Sequence, residues 1–246
     1  MKKQLFAILL LVMPVLAVAS EGNVHLDKAN IDPNNKQSLQ RGARTFVNYC
    51  LSCHSAAFQR YNRLARDLDI SEDDVIENLM FTGEKIGDHM TVAARKIDLK
   101  NWFGAAPPDL TLVARVRGVD WLYTYLRTFY IDDSRPFGVN NLVFHNVGMP
   151  HVLWELQGWQ KPVYKTVTDD EGREHKMVEG VELVQAGSQS PAEYDQTVRD
   201  LVNFLAYMAE PVKQERQRLG VWVLLFLAVF FVIAYLLKKE YWKDVH

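Results

Sequence analysis

The chain has 246 residues, 48% of them hydrophobic, with a formal net charge of −2. That length holds one large domain or two small ones, and the near-balanced charge gives no footprint for nucleic acid. The apolar residues concentrate at the two ends, and the middle has the composition of a soluble domain.

Residues 1–19 read as a secretory signal. Lys2 and Lys3 form a basic start, Leu5 to Val18 is uncharged and apolar, and Ala17-Val18-Ala19 is a cleavage pattern. The mature chain is then expected from residue 20, in a bacterial periplasm. Residues 20–37 are polar, with a turn cluster at Ile31-Asp32-Pro33-Asn34-Asn35. Ser38 is expected to cap a helix from Leu39 to Tyr49. That helix carries Gly42, Phe46 and Tyr49 on one face, where a glycine lets a second helix come close.

Cys50-Leu51-Ser52-Cys53-His54 follows, a C-x-x-C-H motif. Two thiols three positions apart can form thioethers with the two vinyl groups on one edge of a porphyrin, and the adjacent histidine supplies an axial nitrogen. A zinc site needs more ligands than the two cysteines of this chain supply, and no βαβ pattern suggests a thioredoxin-like CxxC. The motif therefore predicts one covalent c-type haem at Cys50, Cys53 and His54.

Tyr61 to Leu68 reads as helix, and Ser71-Glu72-Asp73-Asp74 starts another that runs to about Phe81-Thr82-Gly83. Residues 84–100 have weak periodicity and read as loop. Pro107-Pro108 holds an extended segment, after which Asp109 or Thr111 is expected to cap a helix to Arg117. Val119 to Phe129 reads as helix and 131–150 as loop, ending in Val147-Gly148-Met149-Pro150. Val163 to Val184 fits either a β-hairpin turning at Asp169-Asp170-Glu171-Gly172 or a solvated loop. Ala192 to Ala209 is an amphipathic helix that Pro211 ends or kinks. Residues 219–237 are uncharged and long enough to cross a bilayer, with Lys238, Lys239 and Lys243 beyond them suiting a cytoplasmic end.

The sixth iron ligand lies elsewhere. Met80, Met90, Met149, Met177 and Met208 offer sulfur, and His89, His145 and His151 offer nitrogen. Glycine before Met149 permits close approach of backbone to a flat ligand, and proline after it stiffens the loop. These arguments leave Met149 as a leading candidate among several.

The motifs, in order, resemble those of cytochrome c1, the membrane-anchored c-type subunit family of ubiquinol–cytochrome c oxidoreductase. They are Arg41-Gly42-Ala43 with the C-x-x-C-H, Pro107-Pro108-Asp109-Leu110 with Arg115 and Arg117 downstream, Gly148-Met149-Pro150, and Leu205 through Pro211 before the anchor. The resemblance implies a mainly α fold, a helical c-type cytochrome with long loop insertions and one C-terminal transmembrane helix. It implies Met149 as sixth ligand and places Pro108 at the cofactor. It also implies Arg117, or less readily Arg115, at a haem propionate. Cytochrome b and Rieske iron–sulfur subunits are the implied partners, cytochrome c the acceptor, and membrane lipid the surroundings of the anchor. The domain order expected is signal 1–19, periplasmic haem domain 20–218, span 219–237 and cytoplasmic tail 238–246. Two other readings stand beside it: a free-standing membrane-anchored cytochrome c shuttle to a terminal oxidase, and a haem enzyme or gas sensor with an open sixth site. The haem domain carries about −5 in formal charge, and its clustered acids suggest steering of a basic electron acceptor.

Overall fold

The computed structural model describes residues 24–168 and 172–244. The signal read at 1–19 and the hairpin turn residues 169–171 lie outside the described residues.

Two helices form the axis of the fold. The first, α1, is Lys36–Tyr49. Asn35 caps it, its side chain accepting from Ser38 N. Ser38, expected as the cap, is instead buried and donates its hydroxyl to Asp200 at 2.6 Å. The partner helix, Pro191–Ala209, begins with a capping box between Ser190 and Glu193 and has proline in its first turn. Its register is fixed by a buried polar knot. The Asp200 carboxylate accepts from Arg41 Nε at 2.6 Å and Nη2 at 3.2 Å, and Asn203 Nδ2 donates to Ser38 Oγ at 3.0 Å. Phe46 and Phe204 pack beside the knot, with ring centroids 5.7 Å apart.

Gly42 is where the two helices meet. A Cβ there would lie 2.1 Å from the Asp200 carbonyl oxygen. The backbones must therefore separate to admit even one methyl group. Gly42→Ala is expected to destabilise the folded protein by about 3 kcal/mol, the upper end for overpacking. For a domain of this size that is a fall in thermal midpoint of roughly 10 °C. A change within a degree or two would show that the helices do not need this approach.

Shorter elements wrap this pair. Tyr61–Leu68 is helical as expected, with Tyr61, Leu64 and Leu68 fully buried. The next helix is Glu72–Asn78, capped by Ser71. It stops short of Phe81 because Leu79 already leaves the helical backbone. Residues 84–100 hold more structure than their weak periodicity suggests. His89–Met90 pairs antiparallel with Ala56–Arg60, and Lys96–Phe103 is helical. Neither expected cap forms on the helix Val113–Arg117, because the Asp109 carboxylate turns back to accept from Ala57 N and Thr111 N, each at 2.8 Å. The helix Val119–Arg127 ends before Phe129. Phe129–Ile131, an aromatic and β-branched run, pairs instead with Val139–Asn141. Of the two readings for 163–184, the hairpin is correct and longer than expected. Gly158–Thr168 pairs antiparallel with Glu174–Ala186.

The C-terminal helix is Lys213–Tyr241. Its stretch Glu215–Tyr241 has a mean hydropathy of 2.8 at its most apolar and buries none of that window against the rest of the chain. Nineteen uncharged residues at about 1.5 Å rise match a hydrocarbon core of about 30 Å.

Candidate functional site

The C-x-x-C-H motif closes the end of α1. Cys50 N–H still donates to Phe46 O, and then Cys53 N and His54 N both fold back onto Cys50 O, at 3.1 and 2.8 Å. Leu51 is buried in the core and pins this turn. Both thiols and the imidazole are thereby turned to one cavity of about 440 Å³.

His54 is held by the proline pair. Its Nδ1 lies 2.7 Å from the Pro108 carbonyl oxygen. A carbonyl only accepts, so Nδ1 carries the proton and Nε2 keeps a free lone pair, the arrangement that a metal-ligating histidine needs. Burial lowers the His54 pKa, which favours the neutral ring. The Pro107-Pro108 segment is itself anchored: Leu110 N donates to Ser55 O at 2.8 Å, and Asp109 holds Ala57 N. Burial also pushes the Cys50 thiol up to about 12, so it is a neutral thiol at the wall.

Among the described methionines, Met149 alone lines this cavity. Met90 is fully buried in the small sheet with Ala56, Met208 is packed in the core, and Met177 sits on the exposed hairpin. Met80 packs against the core from the side. Tyr125 Oη donates to Met149 Sδ at 3.5 Å. Tyr125 in turn stacks on Trp121, with centroids 4.9 Å apart. The loop that carries Met149 is tied down by Arg135, which donates to Asn146 Oδ1 and to its carbonyl, both at 3.1 Å. A Cβ on Gly148 would meet no protein atom within 4 Å, so the chain's own packing does not require glycine there.

The three rival histidines do not line the cavity. His89 is in a strand, His145 is exposed, and His151 is buried with its ring stacked on Phe129 at 4.9 Å. Burial lowers the His151 pKa to about 4.

The two arginines separate clearly. Arg117 lines the cavity and is, among the described residues, the only charged side chain to do so besides the motif's ionisable groups. Its guanidinium lies 5.0 Å from the Trp121 ring centroid and 5.7 Å from that of Phe144. Arg115 points elsewhere, 3.9 Å from the Glu210 carboxylate. No acidic residue lines the cavity among the described residues. Glu72-Asp73-Asp74 opens a helix, and Asp132 accepts from Ser134 and Asn140.

The rest of the wall is almost entirely apolar, with Leu122 and Leu126 from one helix and Leu201 and Leu205 from another. A flat apolar ring with an acidic edge and a metal at its centre fits this donor set. Two thiols, one lone-pair imidazole, one thioether and one guanidinium share the cavity. The resemblance placed Pro108 at the cofactor without showing that its carbonyl holds His54, and sequence reasoning missed the Tyr125 hydroxyl, which acts from within a stretch that reads only as helix.

Comparison with known proteins agrees with this chemistry. The cytochrome C1 family model matches residues 80–245. The chain is 53% identical over 246 residues, covering 100% of both chains, to a cytochrome c1 of Allochromatium vinosum. It is 50% identical over 239 residues, 96% of each chain, to a protein of Nitrosomonas europaea named ammonia monooxygenase gamma subunit. A cytochrome c1 of Rhodospirillum rubrum is 28% identical over 263 residues, covering 93% of this chain and 92% of that one. The C-x-x-C-H motif precedes the segment that the family model matches, but falls within the full-length alignment.

Proposed function

The chain belongs to the cytochrome c1 family, and from that premise we propose that it is the membrane-anchored electron-transfer subunit of a ubiquinol–cytochrome c oxidoreductase. One observation carries the reading: a single apolar cavity gathers Cys50, Cys53, His54 and Met149. Cytochrome c1 proteins carry a covalent c-type haem, which supplies a reversible one-electron iron couple.

The residues take the following roles. Cys50 and Cys53 would form the thioethers. His54 would offer Nε2 to the iron while Pro108 holds its other nitrogen. Met149 would offer its sulfur, and Tyr125 orients it. Arg117 offers a charge-assisted partner to a propionate, its guanidinium already held between Trp121 and Phe144. The leucine-rich wall excludes water and lowers the local dielectric. No residue need act as acid or base. The electron enters from a Rieske iron–sulfur subunit and leaves to cytochrome c, with cytochrome b as the membrane partner of the anchor. Residues 1–19 are removed on export, the haem domain 20–218 faces the periplasm, 219–237 spans the membrane, and 238–246 is cytoplasmic.

The free-standing shuttle is the second reading. Against it stands the size of the insertions: 95 positions separate His54 from Met149, and a hairpin from Gly158 to Ala186 leaves Val163, Tyr164 and Met177 exposed. Surfaces of that kind suit an assembly. Mild detergent extraction with a tag on the C-terminal tail tests it. Co-purification of b-type haem and a two-iron cluster is expected, and a lone c-type haem would favour the shuttle.

A chain stopped after Arg218 is expected to be a water-soluble haemoprotein, because the only candidate membrane span among the described residues is then gone. Cell fractionation in a strain lacking the other subunits checks this. Truncated protein retained in washed membranes would contradict it.

A further inference from the structure

A second, larger cavity lies away from the haem site, where the domain meets its anchor. It measures about 840 Å³, and five cationic side chains and three carboxylates line it. Lys36 pairs with Asp69 outside the lining, which leaves four cations facing three carboxylates. Asp67 accepts from both Arg63 and Arg66, through Nε at 3.0 and 3.1 Å, and also from Tyr207 Oη at 2.9 Å. Glu210 is shared between Arg216 and Arg115, the latter a distant 3.9 Å away. Lys213 also lines the cavity, at the start of the anchor helix. Arg66 and Arg115 are well exposed, so their guanidinium groups are accessible from solvent.

The level of this cavity relative to a bilayer follows from helix geometry. Lys213 and Glu215 precede Leu219, the first residue of the uncharged run, by six and four positions. At about 1.5 Å per residue they stand roughly 6–9 Å beyond the hydrocarbon. The headgroup layer on each face is about 5–8 Å thick. The cavity therefore opens at headgroup level, and Ile31, Leu39 and Val212 add apolar side chains to its lining.

We infer that this cavity binds the phosphate group of an anionic phospholipid, through Arg66, Arg115 and Lys213, at the domain–membrane junction. The inference rests on the membrane anchor and is independent of the haem assignment. Surplus guanidinium beside shared carboxylates suits a phosphodiester, which accepts from several N–H groups at once. A zwitterionic lipid offers the same phosphate but adds a cation that the basic wall disfavours.

The test uses the full-length, haem-loaded chain, delipidated in neutral detergent and read by native mass spectrometry. Dioleoyl-phosphatidylglycerol and dioleoyl-phosphatidylcholine are the probes, with inorganic phosphate as competitor. Each basic residue near a membrane surface contributes roughly fivefold. Phosphatidylglycerol should therefore be retained at least roughly tenfold better than phosphatidylcholine. The triple variant R66Q/R115Q/K213Q should lose that preference, and R66K/R115K should keep it. The triple variant leaves the Arg63–Asp67 pair intact, and an unchanged haem spectrum and thermal midpoint establish that it is folded. If it is not folded, R115Q/K213Q is read instead and should show a partial loss. Equal retention of both lipids, or a folded variant with wild-type preference, would overturn the inference. Displacement of phosphatidylglycerol by millimolar inorganic phosphate would also overturn it, since the site would then read a free anion rather than a lipid.

Discussion

Replacing Cys50 and Cys53 together by alanine is expected to abolish covalent haem and, with it, most of the stability of the domain. The first effect is chemical: no other cysteine exists in the chain to form a thioether. The second follows from packing. The cavity they line has a volume of about 440 Å³, walled by leucines from the central helices. Without the group that fills it, this apolar wall would stand open to water, and the lost burial would be a large fraction of a typical domain stability of about 5–15 kcal/mol. Denaturing gels should show no peroxidase-active haem on the variant, and the protein should be degraded or recovered unfolded. Haem stain that survives on this chain would refute the attachment site. Stable, folded protein without haem would refute the argument that the group is part of the core.

Met149→Leu is expected to lower the reduction potential by roughly 100–200 mV, a fraction of the ~0.8 V over which axial ligands set haem potentials. It should also remove the weak sulfur–iron band near the red end of the oxidised spectrum. A thioether beside histidine raises the potential, so its loss moves the couple downward. The fold should survive, because Leu for Met conserves volume and usually costs less than about 1.5 kcal/mol. The haem stain should also persist, since the thioethers are untouched. That combination separates a ligand from a packing residue. Redox titration of the purified variant checks it. An unchanged potential and spectrum would leave the sixth ligand unassigned, since none of the rival methionines or histidines lines the cavity.

The sequence carried the helical frame well where the physics was local. Gly42 and Phe46 on one face of a helix announced a close helix contact, and the Asp200 carbonyl at 2.1 Å from a Gly42 Cβ is that contact. Pro191 marked the start of the helix that follows, and the structure adds a capping box between Ser190 and Glu193 that the sequence reading did not name. The motif Cys50 to His54 announced the cofactor. What did not show were interactions across long separations. Asn35 and Ser38 both suit a cap, and only the distant Asp200 decides that Ser38 turns inward. Asp109 looks like a helix cap in isolation, yet Ala57 claims its carboxylate from 52 positions away. The choice among five methionines was likewise tertiary. Local chemistry favoured Met149 through its glycine and proline, but the exclusion of Met90 depends on a pairing with Ala56 that no periodicity reveals. Arg115 and Arg117 differ by two positions on a short helix, so one faces the cavity and the other Glu210.

The central claim is that one nitrogen from His54 and one sulfur from Met149 complete the coordination of a single haem iron. Iron K-edge X-ray absorption on the purified, oxidised full-length protein measures that set directly. The account predicts five nitrogen scatterers and one sulfur, with the sulfur lost in Met149→Leu. A shell of six nitrogen or oxygen scatterers in the unaltered protein would contradict it.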